Sequence, residues 1–173
     1  ALRHGSTGIG SPNHLAAEIF KVTNGVQLTH VPYKGAGPAL NDLAGGQFEV
    51  YFGTVVSTLP VVRNGRARVI GLTSLKRIEA APDLPTLNEQ GLKDFEIVSW
   101  VIMSAPARTP PDIITKLNRE AIRALAIPEV RSRLSGDGAE FVSDSPEQVS
   151  AFVRTEVEKW GRAVKASGAT PEN

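Results

Sequence analysis

An α/β fold built on a parallel sheet is what this sequence predicts, and three observations predict it. In the first half of the chain, short apolar, β-branched stretches alternate with segments of helical periodicity. Glycine, often beside proline or asparagine, punctuates the junctions between them. A helix between two strands returns the chain to the same edge, so such strands pair in parallel.

The elements follow in order. A short strand, Ala1 to His4, runs into Gly5-Ser6-Thr7-Gly8-Ile9-Gly10. Ser11-Pro12-Asn13-His14 opens a helix, with Ser11 as N-cap and Pro12 at the first helical position. Leu15, Ile19 and Val22 fall at helical spacing, and Asn24-Gly25 ends the segment. Gln27 to Pro32 alternates as a strand does, and Gly37-Pro38 starts a second helix closed by Gly45-Gly46. The pattern then repeats: a strand over Phe48 to Phe52, the turn Gly53-Thr54, and a helix holding Val56, Leu59 and Val62, stopped by Asn64-Gly65. Arg68 to Thr73 is the fourth and most β-branched strand.

Ser74 to Glu96 breaks the alternation with Pro82, Pro85 and Gly91, and Ile97 to Ser104 reads as a strand. After the rigid loop Ala105 to Pro111 the chain is mostly helical. Asp112 to Ala126 sets Ile113, Leu117, Ile122 and Leu125 near one face, Pro128 to Leu134 is a shorter helix, and Glu140 to Val142 is a small strand. Ser145-Pro146-Glu147-Gln148 caps the last helix, which carries Val149, Phe152, Val153, Val157, Trp160 and Val164. These later helices have apolar faces and almost no strands of their own to cover. The chain is therefore expected to be incomplete, its second half belonging to a domain whose sheet lies elsewhere in a longer product.

Composition narrows the function. The 173 residues are 41% hydrophobic and 21% charged, as in a folded, water-soluble protein. The formal net charge is +1 with acids and bases interspersed, so no electrostatic footprint for nucleic acid exists. Apolar runs are too short to span a bilayer, so direct membrane insertion is not expected. There is no cysteine, which excludes disulfides and thiolate metal sites, and His4, His14 and His30 lack metal-ligand spacing; no metal and no cofactor are expected. The N-terminus has no apolar core of a signal peptide, so any export signal would lie outside this sequence.

The stretch Gly5 to Ser11 is the most informative feature. It follows a strand and opens a helix, where ligands bind in open α/β sheets. Backbone N–H groups at a helix start, with hydroxyls beside them, suit an anion such as a carboxylate. The order G-x-x-G-x-G reverses the dinucleotide fingerprint, and no Gly-Lys-Ser/Thr ends it as in a phosphate loop. A tight turn plus helix cap with no ligand fits these residues equally well. Tyr33-Lys34-Gly35 and Phe52-Gly53-Thr54 are two further strand-end loops, and Lys34 is as well explained by solvation as by steering an anion. Together the loops line one edge of the sheet, as the wall of a cleft does.

Enzymatic constellations are poor, and no catalytic residue is assigned. Ser11 and His14 have no orienting acid, and G-x-S-x-G is absent. Asp42 and Glu49 fit surface positions better than an acid/base pair. His14 reads better as a packed ring than as a catalyst, and Trp100 and Trp160 as packing. A β/α enzyme domain acting on an anionic small molecule remains the alternative, carried by the glycine loop alone.

At these residues the chain resembles the substrate-binding proteins of tripartite tricarboxylate transporters, the Bug-type periplasmic receptors. The match runs through Gly5-Ser6-Thr7-Gly8, Gly10 to Glu18, Thr29 to Gly35, Pro38-Ala39-Leu40, Asn41-Asp42-Leu43, Gly45-Gly46-Gln47 and Asn64 to Arg68. It continues through Arg77, Pro82 to Thr86, Glu89-Gln90-Gly91, Trp100, Ala105-Pro106, Thr109-Pro110 and Lys116-Leu117-Asn118. Thr-His-Val-Pro-Tyr-Lys-Gly is the most specific of these signals. The resemblance implies a two-lobed, type II-like periplasmic binding protein that closes on a small organic carboxylate and delivers it to a membrane permease. Residues 1–98 would form its ligand-closing α/β lobe. Residues 99–173 would be the hinge return and helical part of the other lobe, whose main sheet is missing here. The expected ligand-binding residues are Ser6, Thr7, Gly8, Gly10, Ser11, His14, Tyr33, Phe52, Gly53 and Thr54. Relatives often have aspartate at Gly53; its absence disfavours an amino-acid ligand. A periplasmic location is implied; the orphaned helix faces could be buried by dimerisation, and alone the chain is expected to bind carboxylates weakly or not at all.

Overall fold

A computed structural model describes residues 1–79, 81–93, 95–135 and 141–167. Three parallel strands make the sheet: β1 (Leu2–Ser6) lies between β2 (Leu28–Pro32) and β3 (Val50–Tyr51). The register pairs His4 with His30 and with Val50, and Ser6 with Pro32. Helix α1 (Pro12–Asn24) joins β1 to β2, and α2 (Ala36–Ala44) joins β2 to β3. The chain steps one way from β1 to β2, then back past β1 to β3. Right-handed crossovers of opposite direction place α1 and α2 on opposite faces of the sheet.

Alternation along β1 shows both faces. His4 and Ser6 point toward α1, whose His14 ring stacks in the same cluster as His4. Gly5 points the other way, against Phe48, where an added Cβ would lie 2.2 Å from the ring's Cζ. Tyr33 and Tyr51 flank the same Phe48 ring. Only glycine lets β1 approach this aromatic layer so closely.

The helix boundaries follow their caps. Ser11 Oγ accepts the His14 N–H at α1's start, and Gly25 closes it in the left-handed conformation, φ 62°, its N–H bonding Lys21 O. Helix α3 (Val55–Arg63) starts on Thr54, whose Oγ1 accepts the Ser57 N–H. Beyond it run α4 (Pro111–Leu125), α5 (Pro128–Ser135) and α6 (Pro146–Ser167). Ser145 and Gln148 form a reciprocal capping box: each backbone N–H meets the other's side-chain oxygen.

Two expected strands are not formed. Residues 68–73 contribute only an isolated bridge, Leu72 to Thr86, and 97–104 carry no strand. Their β-branched pattern lacks a ladder partner, and propensity without pairing does not make a strand. The backbone polar groups are satisfied by a turn instead: Leu72 N–H donates to Pro85 O, Leu87 N–H to Leu72 O, and Gln90 Nε2 to Ile70 O. Ile97 N–H reaches Thr73 O. Of the small strand expected at 140–142, Glu140 lies outside the described residues, and Phe141 and Val142 are not in a strand.

The apolar core sits behind α1. Ala16, Phe95 and Ile97 are buried together, with Ile19, Phe20, Phe52, Leu87, Leu92 and Trp160 against them. Helix α6 packs on α1, and its buried Glu156 accepts both indole N–H groups, from Trp100 and Trp160, each at 2.9 Å. Lys159 pairs with the same carboxylate at 3.0 Å. Burial pushes Glu156 up, but these donors outweigh it and hold the carboxyl below its usual range. The tryptophans thus pack, as expected, and also tie residue 100 to α6.

Candidate functional site

Because the strands are parallel, their C-terminal ends share one edge, and β1 is the strand at which the connections diverge. That is where ligands sit in open α/β sheets. The loop after β1, residues 7–11, leads directly into the N-terminus of α1. Two backbone bonds dock it on the β2 end: Tyr33 N–H to Ser6 O at 3.1 Å and Gly35 N–H to Thr7 O at 3.2 Å. Gly10 adopts φ 75°, a left-handed conformation natural to glycine.

Asn13, in the first turn of α1, joins this loop to the third one. Thr7 Oγ1 donates to Asn13 Oδ1 at 2.8 Å, and Asn13 Nδ2 donates to Phe52 O. The expectations from sequence did not include Asn13. Its signal was position: a short amide one turn from the loop it bridges.

The expected ligand residues divide into those facing solvent and those beneath. Gly10, Gly53 and Thr54 are exposed, and Thr7, Gly8, Ser11 and Phe52 partly so. Ser6 is fully buried: its hydroxyl donates to Gly8 O and accepts the Gly8 N–H, both at 3.1 Å, and lies 2.7 Å from His30 Nε2. His14 is buried, and its Nδ1 accepts the Gly10 N–H at 3.1 Å. Tyr33 turns its hydroxyl to Asp42 on α2, at 2.8 Å. Asp42 is therefore held by Tyr33, and Glu49 by Arg3 at 2.7 Å, so these two acids sit in separate bonds. Around Gly53, an added Cβ would meet Tyr51 Cε1 at 2.5 Å and Thr58 Cγ2 at 2.6 Å.

Under the loop the histidines gather. His4 and His30, paired in register, stack with centroids 4.8 Å apart, and His14 stacks on His30 at 4.0 Å. Glu18 Oε1 is 3.6 Å from Nε2 of both His4 and His14, and 2.8 Å from Lys21 Nζ. Neither nitrogen of the fully buried His4 has a hydrogen-bond partner among the described residues. Burial lowers all three imidazoles, with Glu18 opposing. His30, also next to the other two rings, falls to about 4. Among the described residues no cluster of three or more His, Cys, Asp or Glu side chains could hold a metal ion, and no helix is long and apolar enough to cross a membrane.

Comparisons with known proteins agree in one direction. A family model described as "Tripartite tricarboxylate transporter family receptor" matches residues 1–169. A protein encoded in the tcbD-tcbE intergenic region of Pseudomonas sp. strain P51 is 34% identical over 164 residues, 94% of this chain and 49% of that protein. Another, from the clcB-clcD intergenic region of Pseudomonas knackmussii, is 33% identical over 158 residues, 91% of this chain and 94% of its own. Among solved structures, an R. palustris protein with adipate superposes with TM-score 0.80 at 34% identity, covering 99% of this chain and 57% of that one. The periplasmic binding protein BugD gives 0.76 at 34%, covering 99% and 58%. MatC from Rhodopseudomonas palustris, with bound malate, gives 0.72 at 32%, covering 94% and 56%. The chain thus spans about half the length of the first of these relatives and of the solved structures, and nearly all of the second relative.

Proposed function

The chain belongs to the tripartite tricarboxylate transporter receptor family, and we propose that it supplies one wall of a periplasmic receptor cleft that captures a small organic carboxylate. The observation that carries this reading is the convergence of three strand-end loops beside the N-terminus of α1, with Asn13 joining two of them. The start of α1, its dipole and the Ser11 hydroxyl form an edge suited to an anion, with the Thr7 and Thr54 hydroxyls fixed beside it on Asn13 and Ser57. Relatives solved with adipate and with malate support a dicarboxylate. The ligand residues in this reading are Thr7, Gly8, Gly10, Ser11, Phe52, Gly53 and Thr54, with Ser6, His14 and Tyr33 behind them.

The remaining wall comes from a second lobe, and residues 99–173 lead toward it. The apolar side chains of Ile113 and Leu117 on α4, 42% and 43% exposed, and of Val101, 99% exposed, are covered by that lobe. Without it they favour self-association, which light scattering reads. The loaded receptor passes its ligand to a membrane permease.

The same geometry favours binding over catalysis. Ser6 and His30 form a serine–histidine pair, but Ser6 is fully buried and its hydroxyl is already shared with Gly8. A nucleophile must reach its substrate. The test is an amide NMR titration with malate and adipate: shifts concentrated at residues 7–11, 33–35 and 52–54 support the reading, and hydrolytic turnover of a carboxylate ester that a Ser6→Ala variant abolishes would replace it.

A further inference from the structure

The histidine stack makes two polar contacts at the ligand loop, and the one from His14 specifies a protonation state. Gly10 N–H donates to His14 Nδ1 at 3.1 Å, so that nitrogen carries a lone pair and the ring proton sits on Nε2, facing Glu18. Ser6 spends its hydroxyl proton on Gly8 O, which leaves His30 to donate its Nε2–H to Ser6 Oγ at 2.7 Å. An imidazolium at His14 would set N–H against N–H and expel Gly10 from its present position. A charged ring inside this stack would also face two close parallel neighbours.

We propose that His14 and His30 are positioning residues of the ligand loop, and that His14 holds the Gly10 N–H in place only while its ring is neutral. The inference rests on the carboxylate reading of the loop. The groups acting on the stack are Glu18 and Lys21 of α1 and the three rings on one another. Helix α6, packed on α1, brings Glu156 and Lys159, which pair together at 3.0 Å. Burial outweighs Glu18, so the rings stay neutral at pH 7 and the loop is ordered there. Acid charges them, the Gly10 bond breaks, and carboxylate affinity falls. A role as a cationic ligand for the anion would give the opposite sign.

The experiment follows the Gly10 amide and the His14 ring by ¹⁵N NMR from pH 8 to pH 4.5, with malate and adipate as probes. Two variants accompany the wild-type chain. His14→Asn keeps an acceptor near the Nδ1 position without a titrating ring; His14→Ala removes it. The Gly10 amide is expected to shift with the His14 midpoint, below the ordinary histidine value. Relative to His14→Asn, in which the probe's own protonation cancels, wild-type affinity should fall about tenfold for each pH unit below that midpoint. His14→Ala should bind weakly at every pH. Equal acid weakening in wild type and His14→Asn, a Gly10 signal indifferent to His14, or affinity that rises in acid overturns the proposal. A loop that follows the histidines but answers to no carboxylate at any pH overturns the receptor reading itself, and the positioning role with it.

Discussion

Gly10 and His14, four residues apart, are joined by a 3.1 Å bond from the glycine N–H to the imidazole Nδ1. The bond crosses the junction between loop and helix, so the first turn of α1 both caps itself and shapes the loop ahead of it. The same ring stacks on His30, which reaches Ser6. One buried cluster thereby fixes the exposed Gly10 and the buried Ser6 beneath it.

Acid should therefore unfold this chain earlier than its surface charges require. The three imidazoles sit below 6.5 when folded, His30 at about 4, while in the unfolded chain they titrate near the ordinary value. The unfolded state thus binds protons first as pH falls. Stability is full above about pH 6.5 and declines toward pH 4. Urea midpoints measured across that range should fall, and His30→Gln should flatten part of the slope.

Gly5→Ala tests the aromatic layer under β1. The new methyl would lie 2.2 Å from Phe48 Cζ, inside a fully packed face. Overpacking of this kind costs about 1–3 kcal/mol. Thermal melts should show the loss, and Gly5→Ala combined with Phe48→Leu should recover part of it.

Glu156→Ala removes the acceptor shared by Trp100 and Trp160. Losing two bonds to a charged acceptor while leaving indole donors half-buried costs about 2–4 kcal/mol. Tryptophan fluorescence should move to the red. Unchanged emission and stability would show that α6 is held by apolar packing alone.

Gly53→Asp installs the residue that the family resemblance leads one to expect there. Tyr51 and Thr58 leave no room for a Cβ, so the loop must shift and stability should drop by about 1–2 kcal/mol. With glycine in place, a binding screen should favour simple diacids over aspartate and glutamate; the reverse preference would count against a ligand without an ammonium.

Much of this architecture was legible because its signals are local. Ser11-Pro12 and Gly25 bound α1 within the expected turn, and Ser145 with Gln148 marks the start of α6. The family match, residues 1–169, likewise follows from contiguous motifs. Residues 68–73 and 97–104 misled because strand propensity says nothing about whether a neighbour is present to pair. The histidine stack was hidden for a related reason: His4, His14 and His30 look unrelated until the parallel register sets His4 beside His30 and α1 lays His14 across them. Ser6 and His14 were recognised as part of the loop, but their burial beneath it depends on which face of β1 and α1 they occupy. That phase is set by tertiary packing, which no short motif encodes.

The central claim, that the converging strand-end loops bind a carboxylate, is tested most directly by titrating the ¹⁵N-labelled chain with malate and adipate at pH 7.5. Saturable shifts confined to residues 7–11, 33–35 and 52–54 are expected, with an affinity of about 1 mM. Shifts spread elsewhere, or none at these loops at saturating ligand, would contradict it.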